Sequence, residues 1–80
     1  MYGVRHPLLA EFPDHSSAIG QMKNKDPQFA RLMSEYDQTD KRIYGLERAS
    51  LPAADDYVEG LRKRRVLLKD RIYSMLTQQR

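Results

Sequence analysis

Two stretches of this chain carry seams of the same period, and their numbering constrains the fold more than any other feature. Phe29, Leu32, Tyr36, Thr39, Ile43 and Leu46 recur in alternating steps of three and four, and so do Val58, Leu61, Arg65, Leu68, Ile72 and Met75. That is the period of coiled-coil helices and not of strands. In an antiparallel hairpin, facing residues have position numbers with a constant sum. Leu46 with Val58, Ile43 with Leu61, Thr39 with Arg65, Tyr36 with Leu68, Leu32 with Ile72 and Phe29 with Met75 each add to 104. Half of that falls on Pro52, where Ser50-Leu51-Pro52 interrupts the pattern. The sequence therefore predicts an all-α fold, a long antiparallel coiled-coil-like helical hairpin preceded by a short N-terminal helix.

The boundaries follow from local signals. Asp26-Pro27 is the sharpest: aspartate accepts bonds from the free amides of a new helix, and proline suits its first position. The residue before proline also avoids the α region, so the preceding helix must stop there. Pro13 and Asp14 open that preceding helix in the same way. The expected helices are 13–24, 27–49 and 53–78, within a hairpin domain spanning 13–80. Residues 1–12, with Val4, Leu8, Leu9 and Phe12 around His6-Pro7, form an N-terminal arm docked on the rest, with room for one helical turn after Pro7. Asp55, Asp56 and Glu59 fall in the first turns of the last helix, where negative charge opposes the helix dipole. The acidic pair reads as capping and not as a catalytic or metal-binding pair.

One layer of the seam is polar. Thr39 opposite Arg65 puts a hydroxyl and a cation between the helices, and a buried unpaired guanidinium costs several kcal/mol. Arg65 must reach a carboxylate or snorkel outward, and Asp40, beside Thr39, is the expected partner. Such a layer can fix register.

Composition narrows the function. Eighty residues without cysteine allow one small domain with a marginal core and no thiolate chemistry or disulfide. No run approaches the roughly 20 apolar residues of a membrane span, and the first residues lack a signal-peptide apolar region. The expected location is the cytoplasm. His6 and His15 have no ligand-like spacing, and the four glycines are scattered singly, with no phosphate loop. No catalytic residue, metal ligand or cofactor is expected, and the chain reads as a non-enzyme. Arg62, Lys63, Arg64, Lys69 and Arg71 form a basic run on the last helix, but a turn of about 100° per residue spreads them around it as a girdle. Acidic residues of the preceding helix (Glu35, Asp37, Asp40 and Glu47) answer part of that charge. Met33, Tyr44, Val66 and Tyr73 flank the seam, where one hairpin cannot bury them all. The first expectation is a protein-interaction module that self-associates through these flanks as a homo-oligomer and binds an unknown protein partner. The alternative is a nucleic-acid-associated accessory protein that uses the basic run.

Phe12-Pro13, Asp26-Pro27-Gln28-Phe29 with Leu32, Asp40 with Ile43 and Glu47, and the run from Leu61 to Ile72 with Leu68-Lys69-Asp70 give the chain a family likeness. It resembles the YdcH-like family of short bacterial proteins over roughly residues 8–76. The resemblance implies a helical fold with a long antiparallel hairpin and transfers no catalytic or ligand-binding residue. The chain departs from the family pattern at Thr39, where leucine is common.

Overall fold

The computed structural model describes residues 4–49 and 55–78. Among these residues four α-helices follow one another: α1 (Leu8–Glu11), then after a 3₁₀ turn at Pro13–His15, α2 (Ser16–Lys25), α3 (Pro27–Ala49) and α4 (Asp55–Thr77). No strand occurs among the described residues. The molecule measures 45 × 19 × 17 Å, as expected of two packed helices of ~35 Å with a short element laid against one end.

Each junction has a local cause. Asp26 leaves the helical region at φ −119° and ψ 105°. Its Oδ1 accepts from the amides of Gln28 at 2.9 Å and Phe29 at 3.3 Å. Its own amide still donates to Met22 O, so one residue closes α2 and opens α3. The helix expected over 13–24 is divided. Phe12 breaks from the helical conformation, His15 N donates to Phe12 O, and regular α-helix starts only at Ser16. The break turns the Phe12 ring onto Tyr73 of α4, stacked with centroids 5.4 Å apart. The helical turn expected after Pro7 is α1. The reversal expected near Pro52 and the start of the last helix at 53 fall in 50–54, outside the described residues.

The two seams meet in their middle layers as the spacing requires, but at the open end Leu76 is buried where Met75 was expected, and Leu46, Leu61 and Met75 are only partly buried. Phe29, Tyr36, Ile43 and Ile72 are essentially inaccessible, with Leu32, Val58 and Leu68 close behind. Cross-helix ion pairs join Arg62 to Glu47, Arg65 to Asp40 and Arg64 to Glu35, with position sums of 109, 105 and 99 that bracket 104. Leu8 of α1 and Ile19 and Met22 of α2 complete the core at the open end, beside Phe29, Leu32 and Leu76. The short α2 is thus supported by packing, which its length alone could not supply.

Adjacent leucines on α4 test this arrangement. Leu68 is 5% exposed and Leu67 is 66% exposed. In urea denaturation at a dilution where the chain is monomeric, Leu68→Ala should cost roughly 2–5 kcal/mol and Leu67→Ala under about 0.5 kcal/mol. Equal losses would contradict the register.

Candidate functional site

The most unusual group in the chain is the carboxylate of Asp40, which is fully buried. It sits on the α3 edge that faces both α4 and the N-terminal segment. From α4, Arg65 donates to Oδ1 at 2.8 Å. Arg5 donates through Nε to Oδ2 at 2.6 Å, and its Nη2 reaches the exposed Asp37 at 2.8 Å. The backbone amide of His6 donates to both oxygens at 3.1 and 3.2 Å. One turn earlier, the Tyr36 hydroxyl donates to His6 O at 2.6 Å, so both backbone polar groups of His6 are held by α3. Pro7 makes this possible, because a residue before proline favours extended backbone and so keeps its amide free of a helix.

The electrostatics follow from this shell. Burial alone would raise the Asp40 pKa, but hydrogen bonds from Arg5, the His6 amide and Arg65 outweigh it and hold the group below the usual carboxylate range. Burial, with help from the charges of Glu11 and Asp40, pushes the Tyr36 phenol up to about 12. Among the described residues no buried side-chain polar atom lacks a partner. Thr39 satisfies its hydroxyl by donating to Glu35 O at 2.8 Å within its own helix. The polar layer thus holds Arg65 with Asp40, as its spacing required. The contribution of Arg5 and His6 has no periodic signal: one cation in a short arm cannot be matched to one of several acids by spacing.

The N-terminal segment continues from this anchor across to α4. Glu11 pairs with Lys69 at 3.0 Å, and His15 meets Tyr73 edge to face at 5.9 Å. His6 Nδ1 lies 3.8 Å from Glu11. The two histidines are not brought together, and no group of three or more His, Asp or Glu that could hold a metal occurs among the described residues.

The residues singled out from sequence are dispersed. Met33 is half-buried against the core cluster, and Tyr44 is half-buried with the Arg48 guanidinium 5.5 Å above its ring. Val66 and Tyr73 stay about half exposed, at 52% and 46%. The basic run divides by partner. Arg62 is held by Glu47 and Glu59, Arg64 by Glu35 and Lys69 by Glu11, while Lys63 and Arg71 are exposed and form no ion pair among the described residues. Helical position sets Arg64 and Arg71 on the hairpin face away from the N-terminal segment, the face shared by Arg31 and Arg42 of α3. Arg64 and Arg42, with Gln38, Thr39, Lys41 and Leu61, line a shallow open groove there. Sequence reading confined to one helix could not see this cross-helix set.

Two measurements test the buried shell. Asp40→Asn strips the charge that faces two guanidiniums and should cost about 3–5 kcal/mol, whereas Arg65→Leu should change stability by less than about 1.5 kcal/mol because Arg5 and His6 still satisfy Asp40. Since the folded pKa of Asp40 is depressed, its contribution is present above the unfolded value of about 3.9 and is lost as pH falls through the folded value. Acid unfolding of wild type should therefore steepen below about pH 4, and Asp40→Asn should flatten that limb.

Tyr36 supplies the alkaline counterpart. Its folded pKa lies above that of an ordinary phenol, so its contribution persists below about pH 10 and is lost as pH rises towards 12. In a phenolate absorbance titration, Tyr36→Phe should remove the latest component. An unchanged late component would place that phenol elsewhere.

The comparisons bear on the hairpin. A family model described as Protein of unknown function (DUF465) matches residues 29–76, more than half of the chain. Neither the curated proteins nor the solved structures yield a match. The matched segment starts at the first seam residue of α3 and ends at Leu76, the last buried residue of α4, so Arg5 and His6 lie outside it. The chain belongs to the DUF465 family of proteins of unknown function.

Proposed function

We propose that this protein is a non-enzymatic interaction module of the cytoplasm, YdcH-like in kind, that self-associates through the outer side of its hairpin and presents the assembly to another protein. One observation carries the reading: Val66, Leu67 and Tyr73 remain 52%, 66% and 46% exposed on one helix of a small chain. Burying such side chains is worth roughly 1.5–3 kcal/mol each when complete, which is large beside the stability of an 80-residue domain. Of the four flanking residues named from sequence, Val66 and Tyr73 are the ones available for such a contact, because Met33 already packs against the core and Tyr44 lies under Arg48. No helix among the described residues is long and apolar enough to cross a membrane.

A second reading has its own support. Arg31, Arg42, Arg64 and Arg71 share the uncovered face, where among the described residues one acid, Glu35, makes ion-pair contact. The N-terminal face is different: there Asp37, Asp40, Glu11 and Glu47 answer Arg5, Arg65, Lys69 and Arg62. A face of arginines suits phosphate, and this is where a nucleic-acid partner would lie.

Salt separates the two. Light scattering at micromolar concentration should give a mass above the monomer at both low and high salt, since apolar association is little screened. A strict monomer that binds duplex DNA or RNA with affinity falling steeply with salt would establish the second reading instead.

A further inference from the structure

The outer side of α4 has an internal symmetry that the hairpin itself does not use. Lys63 and Asp70 point away from the seam by helical position and are exposed, and their side chains form no ion pair or hydrogen bond among the described residues. They stand equally far on either side of the boundary between Val66 and Leu67, the two most exposed large apolar residues of the helix. By helical position Lys63 and Asp70 lie within about 20° of each other, with Val66 on one side of that line and Leu67 on the other. A cation, two apolar residues and an anion thus form a strip that is complementary to its own reversed copy.

We propose that a second copy of this chain docks antiparallel on this strip, about a two-fold axis passing between Val66 and Leu67. The proposal rests on the self-association reading above and specifies its surface, direction and register. In this arrangement Lys63 of each copy meets Asp70 of the other, giving two equivalent ion pairs. Val66 meets Val66 and Leu67 meets Leu67 between them. A closed two-fold contact of this kind uses the same patch twice and ends with two chains. A parallel pairing of the same strip would set lysine against lysine and aspartate against aspartate, which opposes association. Tyr73 lies at the rim of the strip on the Val66 side, its other flank already taken by Phe12 and His15. The N-terminal segment, anchored at Asp40 and Lys69, leaves the strip open.

The test is a charge exchange read by sedimentation equilibrium. Both positions are exposed, so Lys63→Asp and Asp70→Lys should leave the helical circular dichroism signal unchanged. Wild type is expected to dimerise. Each single variant places like charges together twice and should associate at least about tenfold more weakly. An equimolar mixture of the two variants restores opposite charges at both contacts and should recover a dimer close to wild-type affinity. If each single variant dimerises as well as wild type, the dimer uses another surface: this inference falls and the self-association reading stands. If the mixture stays as weak as the single variants, the antiparallel register is wrong. A wild-type monomer at high micromolar concentration would overturn both.

Discussion

A carboxylate taken wholly out of water must be answered by charge and hydrogen bonds, and the fold is arranged around how Asp40 is answered. Its isolated burial would be prohibitive. Two guanidiniums and a backbone amide surround it, so the site carries a small positive excess that Asp37 partly offsets through Arg5. The three groups that hold it come from two separate parts of the chain. Arg65 ties Asp40 to the second arm of the hairpin, and Arg5 and His6 tie it to the N-terminal segment. Removing the acid would therefore cut both ties at once, whereas removing either cation leaves the rest in place.

This arrangement also decides which side of the hairpin is available. Acids and bases are paired on the side crossed by the N-terminal segment, at Glu11 with Lys69 and Glu47 with Arg62 as well as at Asp40. The opposite side keeps arginines with little acid, and the outer side of α4 keeps its exposed apolar residues. One two-helix scaffold thus presents three unlike surfaces, one covered, one cationic and one partly apolar. Functional readings divide between the latter two.

Most of the hairpin was legible in the sequence. Both seams have one period, the chain reverses between them, and Asp26-Pro27 fixes where α3 begins. The Arg65–Asp40 contact was legible for the same reason, since a cation in a seam must find an acid near its own layer. The helical turn expected from Pro13 does begin there, but as a 3₁₀ turn over Pro13–His15, with regular α-helix only from Ser16, and the Phe12 ring at this break stacks on Tyr73. The anchoring of Arg5 and His6 was not legible, because nothing periodic links an extended arm to a helix. The cationic face was hidden for a related reason: Arg31 and Arg42 join Arg64 and Arg71 only when two helices are set side by side.

The family match covers the hairpin, Asp40 and Arg65 included, and stops short of the arm that carries Arg5 and His6. The claim that the arm is integral to the fold is tested most directly by amide hydrogen exchange at His6. If its N–H is bonded to the buried carboxylate, it should exchange as slowly as the amides in the centre of α3, through global unfolding. Exchange at the rate of a fraying chain end, with α3 still protected, would contradict it.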